Sequence, residues 1–403
     1  MNNVGPRENV IDDVVIVGAG PAGSVAATVL ARAGARVRLL DRAAFPRDKL
    51  CGDTVNPGTL AVLRRLGLAA AIEERGLPVH GMRLTGENGV VIEGRYPRNR
   101  IGRAIVRRDV DWALLESAIT AGAMFEPDVP VRRAIVNEAS GRRSVAGVVI
   151  NGQGAGIATD GPERELRAPV TIAADGRHST LAFGLGLARH PDTPRRWAIG
   201  AYVETAAAHT SVLGEMHVRH GRYIGVASVP GGLTNVCLVK PSRPGDPSLR
   251  DPASLLRQEL AHDPWLRDRF ADARLVRPPV LLGPLAIDLQ RADMDGLLLA
   301  GDASGFIDPI TGDGLRFAVR GGELAALAAL EALEHGWTGV HARLAAWRRR
   351  EFGAKWRFNR AVRALVASPR AVDAAALSAS IAPGLLRAMI AYAGDCGATQ
   401  PPH

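Results

Sequence analysis

The chain is poor in cysteine. Cys51, Cys237 and Cys396 are the only three in 403 residues, and their spacing suits neither a disulfide framework nor a structural zinc site. No metal is expected, and unpaired cysteines fit a reducing, cytoplasmic setting. No apolar run is long enough to cross a bilayer, and the polar start Met1 to Glu8 does not read as a signal peptide. Aromatic residues make up 4% of the chain, too few for a base-stacking surface. No nucleic-acid motif accompanies the net charge of +9, so nucleic acid is not an expected partner. Lysine is scarce as well. Only Lys49, Lys240 and Lys355 contribute to a Lys+Arg total of 50. An arginine bias of this kind often follows genome composition; its functional reading is affinity for anions such as NADPH, a diphosphate lipid or a membrane surface. Internal repeats and low-complexity runs are lacking too.

What is present is a 47% hydrophobic chain with room for two or three domains. Val14 to Val17 reads as a short buried strand that runs into Gly18-Ala-Gly-Pro-Ala-Gly23. Pro21 to Ala33 has helical spacing and stops at Gly34, and Arg36 to Leu40 is the next strand. This βαβ unit is the context a dinucleotide fingerprint requires. Gly18 permits the tight turn, Gly20 lets the backbone approach a pyrophosphate, and Gly23 lets helix and strand pack closely. Asp41, at the end of the second strand, can accept hydrogen bonds from a ribose.

A second stretch, Leu299 to Leu315, refines the reading. The apolar strand Gly296 to Ala300 delivers Gly301 and Asp302 to a strand end. Pro309 and the glycines after it are expected to open an apolar helix from Leu315 to about Leu333. A helix N-terminus offers unpaired N–H groups and partial positive charge, which suits a phosphate or an electron-rich flavin edge. The two stretches in this order point to FAD.

Further segments are similar to one superfamily. The chain resembles the FAD-dependent oxidoreductases that include aromatic hydroxylases of the p-hydroxybenzoate hydroxylase type and the geranylgeranyl reductases. Arg107 with Val110 and Leu114 resembles that family's arginine-bearing helix. Ala173-Ala-Asp-Gly-Arg-His-Ser179 resembles its "DG" motif, and Gly301-Asp-Ala with Pro309 and Gly312-Asp-Gly314 its "GD" motif. The chain departs from the family in carrying Ser179-Thr-Leu-Ala-Phe183, where an arginine often follows the serine. The resemblance implies a cofactor-binding set of Gly18, Gly20, Ala22, Gly23, Asp41, Arg42, Arg47, Lys49, Arg107, Asp175, Gly301, Asp302, Gly312, Gly314 and Leu315. Asp302 would bond the ribityl or pyrophosphate part, and Gly312 to Leu315 would face the isoalloxazine.

Phe45-Pro-Arg-Asp-Lys-Leu-Cys-Gly-Asp53 resembles the "PRxKxCG" segment of geranylgeranyl reductases. A thiol beside a flavin could donate a proton or tune the ring, with Arg47 and Lys49 lowering its pKa. Cys51 is therefore the catalytic candidate; the alternative is a packed loop cysteine. None of the three lysines stands on the strand where flavin-dependent halogenases need one. A second Rossmann domain and a redox cysteine pair are not visible, so NAD(P)H, if it is the donor, binds transiently.

The expected architecture is α/β: a Rossmann-like FAD-binding domain, an inserted antiparallel-sheet substrate domain and a helical C-terminal region. The FAD-binding parts are residues 10–78, 105–185 and 291–335. The substrate-domain parts are 79–104 and 186–290, with 336–403 as the helical region. Helical segments are expected between Pro252 and Ala273, and Gly152 to Gly156 reads as a loop. His178, His217 and His220 read as structural or solvent-facing. Trp197, Tyr202 and Tyr223 are core residues first and pocket-lining candidates second. Leu385, Leu386, Met389 and Ile390 read as core, with peripheral membrane contact as the other use of that region. The leading expectation is reduction of an apolar, lipid-like alkene. The alternatives are an NAD(P)H- and oxygen-dependent monooxygenase acting on an aromatic or polyketide-like substrate, and a lipid carrier that has lost redox chemistry.

Overall fold

A computed structural model describes residues 12–49, 53–139, 141–151, 163–193, 195–205, 211–381 and 383–396. Cys51 and the Gly152–Gly156 segment lie outside the described residues.

A five-stranded parallel sheet carries the glycine fingerprint. Its order is Leu297–Leu299, Val170–Ala173, Val14–Val17, Val37–Leu40, Met124–Glu126. Both faces are covered, which explains why the inner strands read as unbroken apolar runs. Val14 and Ile16 pack under the helices Pro21–Arg32, Arg107–Thr120 and Gly314–His335. Val15 and Val17 face a three-stranded antiparallel sheet made of Val131–Ala139, Arg142–Asn151 and Glu163–Arg167.

The second large sheet runs Arg274–Leu275, Arg196–Glu204, Leu233–Pro241, Arg222–Val229, Leu213–Arg219, Gly81–Thr85, Val91–Arg95, with Val280–Leu282 also pairing onto Arg196–Glu204. It is antiparallel except where Leu213–Arg219 lies parallel to Gly81–Thr85. Those two strands are joined through the nucleotide domain rather than by a hairpin, so nothing forces them antiparallel. One face of this sheet packs Ile199, Val226 and Leu238 against the helix Pro252–His262. That helix lies within the expected Pro252 to Ala273 range and ends at His262. Asp263 is extended (ψ 121°) because the residue before a proline, here Pro264, is steered out of helical geometry.

The opposite face looks toward the nucleotide domain and the C-terminal helices Val340–Ala367, Pro369–Ile381 and Pro383–Ala393. The last helix lies across Val91–Arg95, with Ile390 filling the space above Gly94. It is tied down by ion pairs. Lys355 holds Asp313 at 3.2 Å and Asp395 at 3.8 Å, and Arg316 holds Asp395 at 2.6 Å.

Candidate functional site

Two concavities flank the junction between the sheets. The first is a cleft of about 940 Å³ above the C-terminal ends of Val14–Val17 and Val37–Leu40. Gly18 sits at φ +99°, and a Cβ there would stand 2.5 Å from the Ala174 carbonyl oxygen. A Cβ on Gly23 would stand 1.9 Å from the Gly18 carbonyl oxygen, so this glycine lets the helix close onto the turn. Gly20 is the N-cap of Pro21–Arg32 and no side chain caps it; the first intrahelical bond is Ser24 N to Gly20 O, at 2.9 Å. The N–H groups ahead of Ser24 thus have no partner within the helix, at an end that carries partial positive charge.

Asp41 closes the other side of this turn. Its carboxylate accepts from Ala19 N at 2.8 Å and Ala43 N at 3.0 Å. Arg47 lies 3.8 Å from Asp41 and 3.2 Å from the buried Asp111, and Arg107 Nε donates to Asp111 at 2.6 Å. Burial and the Arg107 charge hold the Lys49 ammonium below its usual range, while Asp111 and Asp302 oppose them. Asp175 uses Oδ2 to accept from Thr180 N at 2.8 Å, and burial raises its pKa. Its Oδ1 is buried without a hydrogen-bond partner among the described residues.

Gly18, Gly20, Asp41, Arg42, Arg47, Lys49 and Asp175 therefore all line the cleft. Other candidates do not. Ala22 is packed between two helical elements: a Cβ on Gly301 would stand 2.9 Å from the Ala22 Cβ, and one on Gly322 would stand 2.2 Å from the Ala22 carbonyl oxygen. Leu315 is buried in a cluster with Leu60 and Val110. Asp302 lies in the turn Gly301–Ser304, half-buried. The helix after it starts at Gly314, next to the expected Leu315; Gly312, at a left-handed φ of +69°, separates it from the Pro309–Thr311 turn.

The second concavity is an apolar cavity of about 270 Å³ under the large sheet. Met82, Leu84, Val218, Val239, Val362 and Ile390 are among its lining, and its floor is the turn Pro309–Gly312. That floor is clamped from both sides. The Tyr223 hydroxyl donates to Asp308, and Asn359 donates to the Asp308 carbonyl and the Thr311 hydroxyl, both at 2.8 Å. Tyr223 is thus both a core residue and a cavity wall.

A polar group joins the two concavities. Asp53 is 1% exposed and lines the apolar cavity. It accepts from Arg107 N at 3.1 Å and from Asn235 Nδ2 at 2.7 Å. Tyr202, which lines the cleft, sits opposite Asn235 on the paired strand, and its side chain acts to lower the pKa of the same carboxylate. Burial pushes the Asp53 carboxyl up to about 7, against the hydrogen bonds and the Arg107 charge. Sequence reasoning missed Asp53 and Asn235 because their partners lie far apart along the chain.

Comparison with known proteins agrees with this layout. Residues 12–354 match the family model described as "FAD binding domain". The chain belongs to that family. Its enzymes are FAD-dependent oxidoreductases, and so is this protein. It is 31% identical over 328 residues to a menaquinone reductase of Mycolicibacterium smegmatis, covering 78% of this chain and 75% of that one. It is 32% identical over 335 residues to digeranylgeranylglycerophospholipid reductase 2 of Methanopyrus kandleri, covering 81% and 79%. Among solved structures, the flavin-dependent brominase Bmp2 superposes with a TM-score of 0.80 at 18% identity, over 96% of this chain and 94% of that one. At that identity the likeness concerns the fold alone. No helix among the described residues is long and apolar enough to cross a membrane.

Proposed function

We propose that the protein reduces a carbon–carbon double bond in an apolar, isoprenoid-like substrate, with FAD held in the cleft and the substrate in the apolar cavity. The observation that carries this reading is the cavity itself. It is lined mostly by aliphatic side chains, it ends on the Pro309–Gly312 turn, and two of the relatives are named as reductases, one of them of a digeranylgeranyl lipid.

The residues of the cleft fit a flavin dinucleotide. Gly18 and Gly23 tolerate no side chain, the uncapped helix start at Gly20 suits a pyrophosphate, and Asp41 suits a ribose. Arg42, Arg47, Lys49 and Asp175 complete the cleft lining. Arg107 supports it through Asp111, Gly301 and Asp302 approach from the neighbouring strand end, and Gly312 lines the apolar cavity ahead of the helix that Gly314 opens, with Leu315 packed beneath it. Bound FAD supplies hydride chemistry. The chain's own share is to hold the substrate in a dry pocket, orient its double bond over the Pro309–Gly312 turn, and provide a proton. Cys51 remains a candidate for that proton. NAD(P)H fits as a transient donor, since the described residues contain one parallel nucleotide-type sheet. A cytoplasmic location and peripheral membrane contact during lipid capture belong to the same reading.

The test is to reduce the purified holoenzyme without oxygen and add geranylgeraniol. Flavin reoxidation with a saturated product supports the reading. Reoxidation by oxygen alone, with oxygen-18 entering an aromatic or polyketide-like product, replaces it with the monooxygenase reading.

A further inference from the structure

We propose that Asp53 is the acid that protonates the substrate double bond, and that Tyr202 connects it to the solvent side of the cleft. The inference rests on the reductase reading above. Three observations carry it. Asp53 is almost wholly buried, yet it lines the apolar cavity rather than a polar crevice. Tyr202, the cross-strand neighbour of its partner Asn235 and a side chain that acts on its pKa, lines the other concavity. The remaining contacts, Asn235 Nδ2 and Arg107 N, fix the carboxyl without neutralising it.

The surroundings leave Asp53 able to exchange a proton at neutral pH. The helix Arg107–Thr120 contributes Arg107, whose side chain is engaged by Asp111. The loop before Asp53 contributes Arg47, paired with Asp111, and Lys49, whose own charge is disfavoured by burial and then by Arg107. The strand Arg196–Glu204 contributes Tyr202, and Leu233–Pro241 contributes the neutral Asn235. The strand Gly102–Ala104, paired with Thr54–Val55, carries Arg103, which packs against Gly76. Among the described residues no carboxylate is hydrogen-bonded to Asp53, and burial is the chief cause of its raised pKa. A carboxylic acid poised near the working pH is the form a general acid needs.

The step balances. The π pair of the alkene forms one C–H bond with the proton of Asp53, leaving its carboxylate. The hydride from reduced flavin forms the second C–H bond. The alkene is reduced by two electrons and the flavin is oxidised by two. Asp53 regains its proton from solvent by way of the Tyr202 hydroxyl.

The experiment uses the holoenzyme reduced under anaerobic conditions and mixed with geranylgeraniol at several pH values. In the parent protein the reoxidation rate should be level below about pH 7 and fall tenfold per unit above it. Asp53→Asn should keep its flavin, keep its reoxidation by oxygen, and lose at least 100-fold in the alkene reaction together with the pH break. Asp53→Glu should restore part of the rate. Tyr202→Phe removes the hydroxyl that acts to lower the pKa of the carboxyl and should move the break to higher pH, which keeps the proposal testable if Asp53→Asn does not fold. Difference infrared spectra of the resting protein should show a protonated carboxyl titrating near pH 7, missing in Asp53→Asn. An Asp53→Asn protein with the parent rate and break overturns the assignment, as does an unmoved break in Tyr202→Phe. A parent protein that the alkene never reoxidises overturns the reductase reading instead, and the infrared titration distinguishes the two failures.

Discussion

Asn235 donates to Asp53 at 2.7 Å across 182 residues of sequence. This one bond ties the large sheet to the loop beside the nucleotide cleft. It sets a buried acid between the space suited to a cofactor and the space suited to an apolar substrate.

A first prediction concerns how that acid couples to stability. Asp53 is raised from an ordinary 3.8 to about 7 in the folded protein. Between these values the folded state holds a proton that the unfolded state has lost, so stability falls as pH rises from about 4 to 7. The contribution is complete below the unfolded pKa and gone above the folded one; at most it is roughly 4 kcal/mol. Asp53→Asn should remove this slope. Denaturant titrations of both proteins at pH 5 and pH 8 check it: the variant should gain relative to the parent at pH 8. An equal offset at both pH values would show the carboxyl to be ordinary.

The glycine fingerprint gives a graded series. Gly18→Ala meets a backbone oxygen at 2.5 Å and a positive φ, and Gly23→Ala meets one at 1.9 Å. Each should lose flavin from the purified protein and cost about 1–3 kcal/mol or more. Gly34→Ala also has a positive φ but nothing within 4 Å. It should cost about 1 kcal/mol and keep its flavin. Visible absorbance and chemical denaturation of the three variants read out the series.

Cavity volume should set substrate size. A Cβ on Gly225 would meet nothing closer than 3.9 Å, and the residue lines the apolar cavity. Gly225→Phe is expected to fill part of it. KM for a long prenyl substrate should rise about tenfold, equivalent to about 1.4 kcal/mol of lost binding, with flavin content unchanged. Steady-state kinetics on prenyl alcohols of increasing length checks this, and the loss should grow with chain length.

The C-terminal helices depend on a buried cation. Lys355 is 6% exposed, holds Asp313 at 3.2 Å and donates to the Tyr392 carbonyl. Lys355→Met leaves Asp313 buried without its partner and should destabilise by about 3–5 kcal/mol. The double variant Lys355→Met/Asp313→Asn should recover much of that loss. Thermal denaturation of the two proteins compares them.

The nucleotide half of the molecule was largely readable from the chain because its signals are local. Gly18, Gly23 and Asp41 each act within one βαβ unit, and the strand periodicity gave away the buried sheet. The long helix was readable too: expected from Leu315 to about Leu333, it runs Gly314–His335, because the Pro309 turn and the left-handed Gly312 ahead of it are local signals. Asp53, Asn235, Asp308 and Asn359, by contrast, escaped. Each looks like an ordinary polar residue until strands and helices distant in sequence bring its partner into reach. Tyr223 was expected to pack in the core first, and its hydroxyl bond to Asp308 shows that packing and cavity wall are one role here.

The most direct test of the central claim is a single anaerobic turnover. The reduced holoenzyme is mixed with geranylgeraniol in the absence of oxygen, and flavin absorbance and product are followed together. The account predicts reoxidation of one flavin for each double bond saturated. A flavin that stays reduced until oxygen is admitted, with oxygen then appearing in a product, would contradict it.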